Sequence, residues 1–190
     1  MKNKLLLLLV LSILSVATSY SQIGGFSEGT LLGSEINSEA EEKCPILSED
    51  GSILYFTRTF DENSTGGLYD QDIWSCEFKD GKLKGAISLS NFNNKFNNSV
   101  VGVNSDGTKL YFLDSYSGKK DDKKGCAIST NEKDTWSKPS HLDIPTLDID
   151  GDFYGFYIPK NEEVLIISYA GPNSLGEEDL YISINNEEGW

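Results

Sequence analysis

The sequence predicts an all-β fold assembled from repeats, and three observations predict it. First, Ser48-Glu49-Asp50-Gly51-Ser52-Ile53-Leu54-Tyr55-Phe56 returns as Asn104-Ser105-Asp106-Gly107-Thr108-Lys109-Leu110-Tyr111-Phe112. A worn third copy is Pro159-Lys160-Asn161-Glu162-Glu163-Val164-Leu165-Ile166-Ile167. The spacing is about 55 residues, a period that belongs to solenoids and propellers. Second, each copy reads as a tight turn feeding a strand. Asp-Gly supplies the positive φ of a hairpin turn, and the aliphatic and aromatic run behind it has strand composition. Third, no stretch sustains a helical period. Four short strands per repeat with Gly-rich turns make one blade of a β-propeller. The expected fold is therefore a partial β-propeller of about three four-stranded blades at 43–97, 98–151 and 152–190, the last blade incomplete.

Residues 1–21 stand outside that scheme. Met1-Lys2-Asn3-Lys4 is a basic start, Leu5–Val16 is an apolar run, and Ser19 and Ser21 are small residues at a cleavage position. That is the pattern of a secretory signal peptide cut before Gln22. The apolar run is too short to span a bilayer comfortably. About 170 residues then remain, enough for one domain with its own core. Residues 22–42 form a Gly- and Ser-rich lead. Its Leu31-Leu32-Gly33-Ser34 resembles Ile87-Ser88-Leu89-Ser90 and Leu142-Asp143-Ile144, so all three read as a short outer strand followed by a loop.

In the first repeat the expected strands are Cys44–Leu47, Ile53–Thr59, Asp72–Phe78 and Ala86–Leu89. Pro45 is confined to a strand start, because a proline lacks the ladder donor. Asp80-Gly81 reads as a turn. The second repeat supplies Ser99–Val103, Lys109–Leu113, Cys126–Thr130 and Ser140–Leu142, the last introduced by Trp136-Ser137-Lys138-Pro139. The third supplies Phe153–Ile158, Val164–Tyr169 and Asp179–Ile184. By period two, Leu54, Phe56, Leu110, Phe112, Leu165 and Ile167 share one face of their strands, and Tyr55, Tyr111 and Ile166 the other. Both faces are expected to be largely buried between neighbouring blades. With three blades the outermost faces lack a neighbour, so further blades or self-association are expected to cover them.

Asp50-Gly51 with Leu54-Tyr55-Phe56, Asp72-Ile73-Trp74, Asp106-Gly107 with Leu110-Tyr111-Phe112, Trp136-Ser137-Lys138-Pro139 and Asp179-Leu180-Tyr181-Ile182-Ser183 together resemble the WD40-like β-propeller repeat of the TolB type. The resemblance covers about Leu31–Trp190. It departs at Gly125-Cys126-Ala127, where an Asp and an aromatic are usual, and at Asn161-Glu162, which replaces Asp-Gly. It implies an exported protein of the bacterial envelope, periplasmic, outer-membrane associated or secreted. Many such proteins carry an OmpA-like peptidoglycan-binding domain beside the propeller, and none is present in this sequence.

Composition excludes some partners. The net charge is −14, with Lys+Arg 16 against Asp+Glu 30. An acidic surface repels phosphate backbones and anionic headgroups, which disfavours nucleic acid and membrane surfaces as partners. Lys119-Lys120-Asp121-Asp122-Lys123-Lys124 is the one basic exception and reads as a solvated hairpin loop. Cys44, Cys76 and Cys126 are odd in number and lack metal spacing, so they read as small strand residues, with their disulfide state left open.

Residues with chemical potential are few. His141 is the one histidine, and no G-x-S-x-G elbow accompanies it, so a Ser-His-Asp triad has no support. Arg58 is the one arginine, too few for the multi-arginine clamp of a sialidase-like site. Glycosidase chemistry needs two carboxylates at a fixed separation; among thirty acids a pair is always available and points nowhere. Asp148, Asp150 and Asp152 make a dense acidic turn that could offer Ca²⁺ its hard oxygens, without EF-hand spacing, against the reading of a solvated interblade loop. Phe153-Tyr154-Gly155-Phe156-Tyr157 reads as a strand sandwiched between blades, with an aromatic platform for glycan or peptide, carried by Tyr154 and Tyr157, as the functional alternative. The sequence thus points to a non-enzymatic cell-envelope module binding protein, peptidoglycan or another glycan, with no cofactor. The alternatives are a fragment of a propeller-fold carbohydrate-active enzyme or an accessory propeller of a larger enzyme.

Overall fold

A computed structural model describes residues 28–114, 116–117 and 124–190. The chain divides into a leading stretch, Met1–Leu31, and a compact unit, Leu32–Trp190. Of the leading stretch, residues 28–31 are described and hold no strand. The expected signal segment at 1–21 and the lysines at 119, 120 and 123 lie outside the described residues.

Leu32–Trp190 is all-β, in three antiparallel sheets. The first contains β1 (Glu41–Leu47), β2 (Ile53–Thr59) and β3 (Gln71–Lys79), with β4 (Lys82–Leu83) and β5 (Ile87–Ser88) both paired to β3. The second repeats the plan with β6 (Ser99–Val103), β7 (Lys109–Leu113) and β8 (Cys126–Glu132), with β9 (Thr135–Trp136) and β10 (Ser140–His141) both paired to β8. The third has β11 (Tyr154–Tyr157), β12 (Val164–Tyr169) and β13 (Asp179–Ile184).

The central strands stand where the alternation places them, and the edges depart from expectation. The sheets are five-, five- and three-stranded, so the described strands do not divide into the expected four-stranded blades. The cause is local. Asp80 and Gly81 both have positive φ, as do Lys133 and Asp134. Two consecutive left-handed residues make the tight turn that folds a strand straight back. β4 and β9 therefore double back along the ends of β3 and β8, and only two residues remain for each of β5 and β10. The expected outer strand at Leu31-Leu32 does not form. Residues 34–36 are a turn instead, with Ile36 N and Asn37 N both donating to Gly33 O at 3.0 Å. This segment still lies beside the first sheet, because Ala86 N donates to Glu35 O at 2.9 Å.

The Asp-Gly turns explain why β2 and β7 begin where they do. Asp50 Oδ1 accepts from Ser48 Oγ at 2.7 Å and Ser52 N at 3.0 Å, and Gly51 takes φ 71°. Those bonds hold the Asp50 carboxyl down at about 2. Asp106 accepts from Thr108 N at 2.9 Å, and Gly107 takes φ 70°. In the worn third copy Glu162 occupies the left-handed position at φ 55°. A side chain there costs on the order of 1–2 kcal/mol. Its carboxylate offsets this by accepting from Lys109 Nζ at 2.9 Å and from the Tyr111 hydroxyl, tying the third turn to the second sheet.

The faces pack in sequence. Tyr55 and Ile73 of the first sheet join Val100, Val103, Leu110 and Phe112 of the second in one core cluster. Tyr111 and Cys126, from the other side of the second sheet, join Phe156, Leu165 and Ile167 of the third. β7 is thus buried on both faces, as expected from its Leu-Tyr-Phe run. Full burial of a side chain the size of Phe112 stabilises by about 1.5–3 kcal/mol. On the outer side of the first sheet, Phe56 and Cys76 are covered by Ile36, with Leu83 and Ala86 against them. The third sheet departs from the expected burial. Tyr154 and Phe156 turn inward, while Phe153 and Tyr157 are exposed, so this segment is covered on one side only.

Candidate functional site

The first strands of the three sheets, β1, β6 and β11, lie side by side, with β6 in the middle. Ile158 N, just past β11, donates to Val101 O at 3.3 Å. Between these strands opens a cleft of about 440 Å³, lined among others by Lys43, Cys44, Ile46, Gln71, Ser99, Tyr154, Phe156 and Tyr157. Cys44 faces it because β1 is irregular there. The pairing with β2 slips between Lys43 and Ile46, and Cys44 adopts φ 53°. Such a bulge re-aims side chains at a sheet edge.

A second pocket of about 400 Å³ is lined by Gly66, Tyr69, Asp70, Lys95, Phe96, Asn97, Asp114 and Tyr154. Tyr154 lines both spaces and is a wall common to them. The second pocket holds two buried acids, Asp70 and Asp114, and one exposed cation, Lys95, with the buried Asp72 behind Asp70 in the sequence. Burial, then the negative charges of Asp72 and Asp114, push the Asp70 carboxyl above the usual carboxylate range. Backbone donors hold the acids in place. Gly66 N donates to Asp70 Oδ2 at 2.8 Å, and Thr65 N donates to Asp72 Oδ2 at 2.9 Å. Asn94 Nδ2 donates to Asp114 Oδ2 at 3.3 Å. The Tyr154 hydroxyl is pushed up to about 12 by burial and by Asp114, which keeps it a neutral donor. An apolar groove beside an open pocket whose floor carries two buried acids suits a ligand with an apolar portion and a cationic group able to compete with Lys95.

The residues singled out from sequence fall as follows. Tyr154 and Tyr157 are on opposite faces of β11, both at the edge of the cleft. Asp148, Asp150 and Asp152 are exposed in the loop before β11. The cation at this loop is Lys124, whose Nζ donates to Gly151 O at 2.8 Å and Asp150 O at 3.2 Å and lies 3.7 Å from Asp152 Oδ1. Among the described residues no group of His, Cys, Asp and Glu is placed to hold a metal ion. His141 is exposed in β10, opposite Ala127. Cys76 and Cys126 are buried free thiols, pushed up by burial, Cys126 to about 12, whereas Cys44 is free and exposed. Arg58 is buried and structural. Its Nε donates to Glu42 Oε1 at 2.9 Å, its Nη2 donates to Ile36 O at 2.8 Å, and it lies 3.9 Å from the Trp74 ring centroid.

Sequence reasoning missed Asp70, Asp114 and Lys95. The run Tyr69-Asp70-Gln71-Asp72 is a local signal, two acids flanking a strand start. Asp114 carries none, because only the stacking of two sheets brings it to Asp70. No protein-family model, no curated protein and no solved structure matches the chain.

Proposed function

We propose that the protein is a non-enzymatic binding module of the bacterial cell envelope, exported, and built from WD40-like repeat units of the TolB type. On this reading the three sheets are successive units of a partial propeller whose edge strands have been reworked into hairpins. Its support is the coincidence of motif and element: Asp50-Gly51 and Asp106-Gly107 each open the middle strand of a sheet. The ligand is a polypeptide segment that lays an apolar side chain along Phe156 and places a lysine or arginine toward Asp70 and Asp114. The observation that carries this is the shared wall at Tyr154, which stands between an apolar cleft and a pocket floored by the buried Asp70 and Asp114. A second reading, a cell-wall glycan, is favoured by the exposed rings of Tyr157 and Tyr69, since such faces suit sugar stacking.

The test titrates the full chain with peptides pairing an aromatic residue with lysine or arginine, and in parallel with soluble peptidoglycan fragments. The peptides are expected to bind and to weaken as salt rises, because a charge pair carries part of the affinity. Tyr154→Ala is expected to remove binding, and Tyr154→Phe to retain most of it. Binding of the glycan fragments alone selects the second reading. Turnover of a glycan, abolished by one carboxylate substitution, sinks both and leaves the carbohydrate-active enzyme.

A further inference from the structure

The third sheet has one face that nothing in the described chain covers. Cross-strand partners share a face, and the pairs Tyr157–Ile166–Ile182 and Val164–Ile184 define it. Leu180 lies on it too, opposite Ser168. Tyr157 is 59% exposed, Leu180 78%, and Ile182 and Ile184 63% each. The remaining strand positions on this face are Gly155 and Ser168, so it carries no charge in a chain that is 24% charged. The corresponding side of each other sheet is buried. Tyr55 of the first is packed into the core against the second, and Tyr111 of the second against the third.

We propose that this face is covered by the same face of a second copy of the chain, giving a two-fold dimer. The face stands apart from the pocket of Asp70 and Asp114 and shares only Gly155 and Tyr157 with the cleft. Two observations favour a second copy. The four exposed residues and the half-buried Val164 and Ile166 present on the order of 600 Å² of apolar surface, at the upper end for a monomer. With a polar rim this reaches the roughly 800 Å² per partner of a standard stable interface. A wholly uncharged patch complements itself across a two-fold axis, where each residue meets its own kind of surface. The outer side of the first sheet is not the partner, because Ile36, Leu83 and Ala86 already lie over it.

The rim gives the dimer a signature. Glu177, Glu178, Glu187 and Glu188 are exposed at the two ends of β13. In a two-fold arrangement these acids face like charge, so added salt strengthens association by screening them. A partner held by charge would show the opposite trend.

The test is sedimentation of the full chain over a concentration series at low and high sodium chloride. The expected result is a monomer–dimer equilibrium that tightens with salt. Ile182→Lys is expected to raise the dimer dissociation constant at least about a hundredfold, because it buries an unpaired ammonium in the contact. Ile182→Thr keeps the β-branched shape that suits a strand and is expected to weaken the dimer at least about threefold. Both variants are expected to keep the wild-type circular dichroism spectrum, since Ile182 is solvent-exposed in the monomer. The proposal is overturned if the wild type stays monomeric to about 100 μM at high salt, well above typical specific affinities. It is equally overturned if Ile182→Lys dimerises like the wild type, or if association is open-ended.

Discussion

Replacing Arg58 tests whether the one arginine of the chain is a structural clamp. Its side chain is 8% exposed and that of Glu42 is 17% exposed. The guanidinium holds the Glu42 carboxylate at 2.9 Å and the Ile36 carbonyl at 2.8 Å, while lying over Trp74. Its contact with Asp61 at 3.5 Å is long and adds little. Arg58→Ala strands a largely buried carboxylate and a carbonyl, and breaking a pair of this kind costs about 3–5 kcal/mol. For a chain of this size that lowers Tm by roughly 10 °C. Arg58→Lys keeps the charge but loses the planar fork that reaches Glu42 and Ile36 O together, so about half the loss is expected. Urea unfolding of the two variants, with Glu42→Ala and the double mutant closing a cycle, measures the coupling, expected at about 1–3 kcal/mol. Arg58→Ala within about 0.5 kcal/mol of wild type, the range of an ordinary surface change, would refute the clamp.

Two glycines of the inner strands form a matched pair. A Cβ on Gly102 would meet Ile158 O at 2.8 Å and Ile158 Cβ at 2.9 Å, whereas one on Gly155 meets nothing within 4 Å. Gly102→Ala is expected to cost about 1–3 kcal/mol in urea unfolding. Gly155→Ala is expected to be neutral or to stabilise by up to about 1 kcal/mol. Equal effects would contradict the close approach of β6 to the chain beyond β11. Asp70→Asn keeps an oxygen for Gly66 N and removes a buried charge, so its Tm at neutral pH is expected to exceed that of the wild type. Because the folded-state value of Asp70 is raised above 3.8, the wild type carries the penalty above that raised value. The advantage of Asp70→Asn is therefore expected to shrink as pH falls through it and to vanish below 3.8. An advantage independent of pH, read by calorimetry across that range, would show the charge to be irrelevant.

Strand positions were legible because their causes are local. β2, β6, β7, β12 and β13 run over the residues expected from turn chemistry and period-two alternation. An Asx-type turn at Asp50 or Asp106 needs only its own few residues to form, and an alternating run needs only its own side chains to define two faces. The reading weakened where a short segment had two local options. Lys133-Asp134 forms a left-handed turn without glycine, and Thr135-Trp136 then folds back as β9 rather than leading into the next strand.

Tertiary structure decided what the faces meet. Leu54, Tyr111 and Ile182 read alike in the sequence as apolar residues of strands. Packing buries Tyr111 between two sheets, half-buries Leu54 under the Ile36 segment, and leaves Ile182 in solvent. The candidate site is of the same kind. Asp70 borders the first sheet, Asp114 the second, and Tyr154 stands in the third, and only sheet stacking gathers them around one pocket. By itself the sequence determined the all-β class, the central strands and the acidic charge, because turn preference, alternation and composition act over a few residues. Burial and the meeting of distant acids are sums over residues far apart in the chain, which is why they became visible only in the folded arrangement.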